Sequence, residues 1–294
     1  MKAIIADRPT WKEVLAKHPL LILPAAHNAL AARLIERAGF PAYQIGGFAI
    51  AGTMHAVPDV DLEHFGEKSE AARDIINASP LPVLVDADNG YGDVKNVTRT
   101  VLEYEAMGAS AIFIEDQVSP KRCGHMNGKE VVRAEEMEEK IRAAVGERKS
   151  ADFFVLARTD AIEPCGIDEA LRRGERYLKA GADGVYVEGP RSVEELEQVG
   201  RAFRGVPLAT SILEGGGKTP WLPPDQLRSM GFTMILYPTT ILFQATRTME
   251  RAIQNLKAGR PMPEENAVDM GGFEQIVEMP YWSEIEKRYQ GEKK

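Results

Sequence analysis

Acidic residues and one arginine gather where short apolar, β-rich runs end. Asp86 and Asp88 follow the run Pro82–Val85, Glu115 follows Ala111–Ile114, Arg158 follows Phe153–Ala157, and Glu188 follows Gly184–Val187. Carboxylates, together with water and substrate oxygens, suit a hard divalent ion such as Mg²⁺. Alternation along an extended strand puts residues i and i+2 on one face, so Asp86 and Asp88 can approach one ion, with Glu115 as a third acidic partner. No His/Cys cluster has zinc spacing. A second feature is Lys121-Arg122-Cys123-Gly124-His125. A thiol among these cationic neighbours is expected to have a lowered pKa. Such a thiol can donate or accept a proton near neutral pH. Gly124 gives the loop freedom to move as a lid does. The second cysteine, Cys165, lacks such neighbours and reads as structural or merely tolerated.

The elements that must position these residues recur along the chain. Eight β-rich runs lie near Leu20–Leu23, Ala42–Ile45, Pro82–Val85, Ala111–Ile114, Phe153–Ala157, Gly184–Val187, Val206–Ala209 and Met234–Leu236. Helix-like stretches separate them, as in βα units rather than hairpins. Their continuous apolarity fits parallel strands covered on both faces. Gly39, Gly108, Gly181 and Gly231 each end a helix-like stretch just before a run. Each stands where a helix C-terminus needs a positive φ. The pattern predicts an α/β chain folded as a (β/α)₈ TIM-type barrel, with a doubly wound open sheet as the structural alternative. In such a barrel the C-terminal strand ends face the active site. Residues 1–260 are expected to form the barrel with an N-terminal helix capped by Thr10 and Glu13. Residues 261–294 are expected to form a C-terminal helical extension, not a separate domain. There Pro261, Pro263, Gly271 and Gly272 mark loops, and Ser283 with Glu286 has capping-box spacing.

Composition narrows the function classes. The 294 residues carry 36 Lys+Arg against 44 Asp+Glu, a formal net charge of −8, which argues against nucleic acid or an anionic membrane as the main partner. A local site can still accept a small anionic substrate. No apolar run approaches the ~18 residues of a membrane helix. Ile4, Ile5 and Ala6 meet Asp7 at once, so no signal-peptide core is expected. Two cysteines are too few for a disulfide scaffold and fit a cytoplasmic protein.

Taken together, Lys121-Arg122-Cys123-Gly124-His125, the segment Val85–Gly92, Glu115-Asp116-Gln117, Ala157-Arg158-Thr159-Asp160 and Gly217-Lys218-Thr219-Pro220 resemble the isocitrate lyase/phosphoenolpyruvate mutase superfamily. The likeness runs from about Leu21 to about Leu256 and is to the short, methylisocitrate lyase-like members. The resemblance implies a barrel whose last helix is exchanged between subunits of a homo-oligomer, usually a tetramer. It implies Mg²⁺, or Mn²⁺, near Asp59, Asp86, Asp88 and Glu115. Tyr43, Gly46 and Gly47 match positions that hold a substrate carboxylate, and Gly124 belongs to the same substrate-binding set. Arg158 and Glu188 match further substrate-binding and catalytic positions, and Cys123 matches the proton donor. Lys121 or His125 would join Arg158 in offsetting the charge of an enolate.

Several positions depart from that pattern: Ile45, Asn28, Asn89, and Thr210 or Ser211 where relatives carry Asn. They predict an intact catalytic scaffold with an altered substrate-contact shell. The implied reaction is Mg²⁺-dependent carbon–carbon cleavage of a small 2-hydroxy di- or tricarboxylate, like 2-methylisocitrate or 2,3-dimethylmalate, to a 2-oxo acid and a dicarboxylate. The alternatives are a phosphonate mutase or hydrolase, an oxaloacetate hydrolase or decarboxylase on the same barrel, and a metabolite-binding protein without catalysis.

Overall fold

Eight short parallel strands close on one another in the computed structural model, which describes residues 8–290. The expectation for Ile4–Asp7 lies outside the described residues. The strands are β1 (Leu21–Pro24), β2 (Tyr43–Ile45), β3 (Val83–Asp86), β4 (Ala111–Glu115), β5 (Phe154–Thr159), β6 (Gly184–Val187), β7 (Leu208–Ser211) and β8 (Met234–Tyr237). Each pairs with its sequence neighbour from β2 to β8, and β8 pairs with β1. A bridge between Ala25 and Gln44 joins the remaining two edges, with the Ala26 amide donating to the Gln44 carbonyl at 2.9 Å. The fold is therefore a (β/α)₈ barrel and not an open sheet. Most strands run one or two residues further than the apolar runs suggest, which brings Asp86, Glu115, Arg158 and Ser211 into the ladders themselves.

Helices connect the strands, and the glycines that end four of them behave as the sequence predicts. Gly39, Gly108, Gly181 and Gly231 have φ of 81°, 91°, 110° and 116°. The N-terminal helix Trp11–Lys17 carries the expected capping box between Thr10 and Glu13. Its Trp11 and Val14 join Leu21, Ala42 and Ala111 in the barrel interior.

The chain forms two compact units, one ending at Ile241 and one beginning at Leu242. The second unit contains most of helix Thr240–Lys257 and the helices Met270–Ile276 and Met279–Tyr289. Two expectations fail here. Gly271 and Gly272 are helical, because the Asp269 side chain accepts the Gly272 amide at 2.7 Å and starts the helix before them. Ser283 lies inside the last helix, which begins earlier with Pro280 in its first turn, where proline's fixed φ suits a helix start.

Strand parity decides which side chains reach the barrel interior. Phe113, Leu156, Tyr186 and Ala209 point inward, whereas Ile112, Ile114, Val155 and Ala157 pack outward under the helices. Continuing the inward series to the C-terminal ends gives Gln44, Asp86, Glu115, Arg158, Glu188 and Ser211, all of which line one cavity. Tyr43, Ile45 and Thr210 have the opposite parity. Tyr43 is fully buried in the outer core, and its hydroxyl donates to the Ile75 carbonyl at 3.3 Å. Its side chain cannot hold a substrate carboxylate. Tyr43→Phe is therefore expected to change any turnover at this site by no more than about twofold. It should lower stability by about 1 kcal/mol through the lost hydrogen bond. A drop in kcat/KM of about a hundredfold with the fold intact would contradict this placement.

Candidate active site

Arg158 occupies the centre of the cavity at the C-terminal end of the barrel. Its Nε donates to Asp160 Oδ2 at 2.8 Å and its Nη2 to Asp160 Oδ1 at 3.1 Å. The same Nη2 lies 3.2 Å from Glu115 Oε2 and 3.6 Å from Glu188 Oε2. Its guanidinium also sits over the rings of Phe113 and Tyr186. Burial works to discharge Arg158, but Asp160, Glu115 and Glu188 outweigh it and raise its pKa. Asp160 is in turn fixed by Asp116, whose carboxylate accepts from the Asp160 amide at 2.9 Å, Thr159 Oγ1 at 2.8 Å and Tyr177 at 2.7 Å.

Glu188 and the loop residue His125 form a second chain of polar contacts. The His125 Nδ1 accepts the Lys218 amide at 3.0 Å, which assigns the proton to Nε2. That nitrogen is 2.9 Å from Ser211 Oγ, and Ser211 donates to Glu188 Oε1 at 2.9 Å. Tyr186 donates to the other Glu188 oxygen. Burial alone would raise the Glu188 pKa, but Arg158 outweighs it and the net shift is downward. Burial lowers the His125 pKa, so the ring stays neutral. Ser211 is thus the strand-seven residue that faces the site, and Thr210 does not.

Cys123 corrects the expectation of an acidic thiol. Its pKa is pushed up to about 11, first by burial and then by the negative charge of Asp59. The cationic neighbours in sequence do not help. Lys121 turns to Asp59 Oδ1, at 2.6 Å, and to Asp88, Arg122 is exposed, and His125 is neutral. The Cys123 amide donates to the Asp59 carbonyl at 3.1 Å, which seats the thiol beside the cavity. Cys165 is exposed and unpaired.

The carboxylates divide into two kinds. Asp88 and Asp59 are held by buried ammonium groups: Lys121 reaches both, and Lys68 lies 2.5 Å from Asp88 Oδ2. Like Asp59, Asp86 and Glu115 line the cavity, and Glu115 Oε1 is buried without a hydrogen-bond donor. Burial raises the pKa of both carboxyls. These are hard oxygen donors in need of a positive charge, so they fit a divalent ion such as Mg²⁺. The reason differs from strand alternation. Asp88 lies beyond β3 with φ of 47°, and its amide donates back to Asp86 Oδ1 at 2.9 Å.

Gly46 lines the cavity, and the Gly47 amide donates to Asp86 Oδ2 at 2.9 Å. A Cβ on Gly124 would lie 2.3 Å from Arg158 Nη2 and 2.5 Å from Glu188 Cγ, so only glycine lets the loop approach this closely. Among the departures, Ile45 sits in the outer core and Asn28 caps the helix Ala29–Arg37. Asn89 donates to Ser119 Oγ at 2.7 Å and tethers the loop. None of these three lines the cavity; the altered contact shell reduces to Ser211. Residue-type reading missed Gln44, Lys68 and Lys129. Strand parity points to Gln44. Lys129, which donates to Asp160 Oδ1 at 3.0 Å and to the Gly124 carbonyl, carries no such signal.

Comparison with known proteins agrees with this geometry. Residues 12–257 match the family model described as phosphoenolpyruvate phosphomutase. The 2,3-dimethylmalate lyase of Eubacterium barkeri is 42% identical over 81% of this chain and 82% of its own. A probable 2-methylisocitrate lyase of Corynebacterium glutamicum is 39% identical over 85% of this chain and 80% of its own. A solved structure of oxaloacetate acetylhydrolase with 3,3-difluorooxalacetate superposes with a TM-score of 0.90 at 27% identity, covering 96% of this chain and 97% of that one. With its barrel, its strand-end carboxylates and these relatives, the chain belongs to the phosphoenolpyruvate mutase/isocitrate lyase superfamily.

Proposed function

We propose that this chain is a divalent-metal-dependent carbon–carbon lyase. It cleaves a small 2-hydroxy di- or tricarboxylate of the 2,3-dimethylmalate or 2-methylisocitrate kind to a 2-oxo acid and a second carboxylic acid. The observation that carries the reading is a half-buried thiol, Cys123, with its pKa pushed up to about 11, on the same cavity as Arg158 and Glu188. The lyases among its relatives support the class of reaction.

Asp86 and Glu115 would hold Mg²⁺ or Mn²⁺, with Asp59 on the same cavity and Asp88 behind, and the bound ion would supply Lewis acidity to the carboxylate and hydroxyl of the half that becomes the 2-oxo acid. Glu188, kept ionised by Arg158, accepts the hydroxyl proton, and the carbon–carbon bond breaks. The electron pair passes to the other half as a carboxylate-stabilised carbanion. Arg158 offsets that charge with a preorganised guanidinium. Cys123 then gives its proton to the carbanion. A thiol still protonated well above neutral pH is loaded for this step, and its reprotonation from solvent completes the cycle. In this proposal the loop carrying Cys123 and Gly124 opens to admit substrate and closes to exclude water.

A cytoplasmic homo-oligomer, with the C-terminal helices exchanged in a tetramer, is part of the same proposal. Large apolar side chains on the second unit support it: Leu256 is 77% exposed, Met270 75% and Trp282 50% in the single chain. Light scattering of the purified protein should give the mass of a tetramer, and a monomer would refute this part.

The reaction is tested by assaying 2,3-dimethylmalate, 2-methylisocitrate, isocitrate, oxaloacetate and phosphonopyruvate with and without Mg²⁺. Cleavage of a 2-hydroxy acid is expected, dependent on metal and reduced about a hundredfold or more in Cys123→Ser. Turnover of oxaloacetate alone would favour the hydrolase reading, to which the acetylhydrolase likeness lends weight, and would overturn the lyase. The state of the thiol is tested separately in a Cys165→Ser background freed of metal. Below its pKa of about 11 the thiol is protonated and unreactive, so alkylation should be slow at pH 8 and rise toward pH 11. A rate profile centred near neutral pH would contradict the half-buried placement of the thiol near the negative charge of Asp59.

A further inference from the structure

Lys68 is a buried cation that the reaction outlined above does not use. It stands in the first turn of helix Phe65–Ala78, where the helix dipole disfavours a positive charge. Its side chain is 2% exposed. Burial there opposes the charged form, yet Asp88 and Asp59 keep the ammonium charged. Its Nζ lies 2.5 Å from Asp88 Oδ2 and 3.9 Å from Asp59 Oδ1. Gly47 opposite leaves it room. A Cβ on Gly47 would sit 2.8 Å from Lys68 Nζ, 3.1 Å from Asp88 Oδ1 and 3.2 Å from Asp86 Oδ2. The ammonium and the cavity-facing Asp86 therefore flank one point, with no side chain between them at Gly47.

We propose that Lys68 sets the cation affinity of this pocket by occupying negative charge on Asp88 and Asp59 that a divalent ion would otherwise feel. Lys121 already offsets the same two carboxylates. A second ammonium leaves the pocket less negative, so it holds a metal ion more loosely. It also leaves the metal-loaded pocket more positive, which favours a dianionic or trianionic acid. Lys68 thus shifts binding free energy from the metal to the substrate anion, and couples the two. The inference rests on the divalent-cation reading of Asp86 and Glu115.

The test is Mn²⁺ titration of the full chain, followed by electron paramagnetic resonance, in wild type, Lys68→Met, Lys68→Gln and Lys68→Arg. Both neutral variants are expected to bind Mn²⁺ about tenfold tighter, and Lys68→Arg to stay within about threefold of wild type. Thermal unfolding provides the second readout. Without metal the neutral variants should melt below wild type, because Asp88 loses a partner. Saturating Mn²⁺ should raise their Tm more than that of wild type. A purely structural lysine would lower Tm equally with and without Mn²⁺, and that result overturns the proposal. So does Mn²⁺ affinity in folded Lys68→Gln that is equal to or weaker than wild type. If wild type and both neutral variants all fail to bind Mn²⁺, the cation reading fails with it. Binding in wild type that Lys68→Met and Lys68→Gln leave unchanged sinks the role of Lys68 alone.

Discussion

Burial of Arg158 is the constraint on which the catalytic end of the barrel depends. A guanidinium taken out of water is costly unless opposite charges and hydrogen bonds surround it. Asp160 grips it from one side through two nitrogens, and Glu115 and Glu188 approach its Nη2. Asp160 is rigid because Asp116 is, and Asp116 is held by donors from β5 and from the helix Ile167–Lys179. The same anchor reaches the loop that carries Cys123. Lys129 joins Asp160 to the Gly124 carbonyl, so this loop is tied to the same carboxylate that grips Arg158.

Charge compensation also explains why the thiol and the carboxylates behave differently from their sequence neighbourhoods. Lys121 is adjacent to Cys123 in sequence terms, but its ammonium is committed to Asp59 and Asp88. Among the charges that reach Cys123, that of Asp59 is the largest, and it opposes thiolate formation. A protonated thiol and an ionised Glu188 can therefore coexist on one cavity with their pKa values pushed apart, as the proposed donor and acceptor roles require. Asp86, which accepts the Gly47 and Asp88 amides, and Glu115, whose Oε2 pairs with Arg158 while Oε1 has no donor, are left as the oxygens that suit a metal ion.

Much of this arrangement is legible in the sequence. Apolar runs, helix-ending glycines and charged residues at run ends define the barrel and the face that does chemistry. Strand parity is equally legible, and it separates Gln44 from Tyr43 and Ser211 from Thr210. Motif resemblance works by position and not by side-chain direction, which is why Tyr43 entered the expected substrate set although its phenol points into the outer core. The departures at Ile45, Asn28 and Asn89 signalled a changed substrate shell for the same reason, whereas the fold uses them for packing, capping and loop tethering. The direction of the Cys123 pKa shift was not legible. It depends on where the Lys121 side chain goes, and that is decided by Asp59 and Asp88, remote in sequence. Lys68 was hidden likewise, since a lysine in a helix reads as a solvated charge until its depth is known.

In the proposed reaction the half-buried thiol of Cys123 delivers a proton to one face of a carbanion within the cavity. The most direct measurement is nuclear magnetic resonance of the carboxylic acid released from 2,3-dimethylmalate during turnover in D₂O. By the chemistry of the cleavage that acid is propionate. A single deuterium at carbon 2, on one face only, is the predicted result. Equal labelling of both faces would show that water, not Cys123, supplies the proton, and would contradict the account.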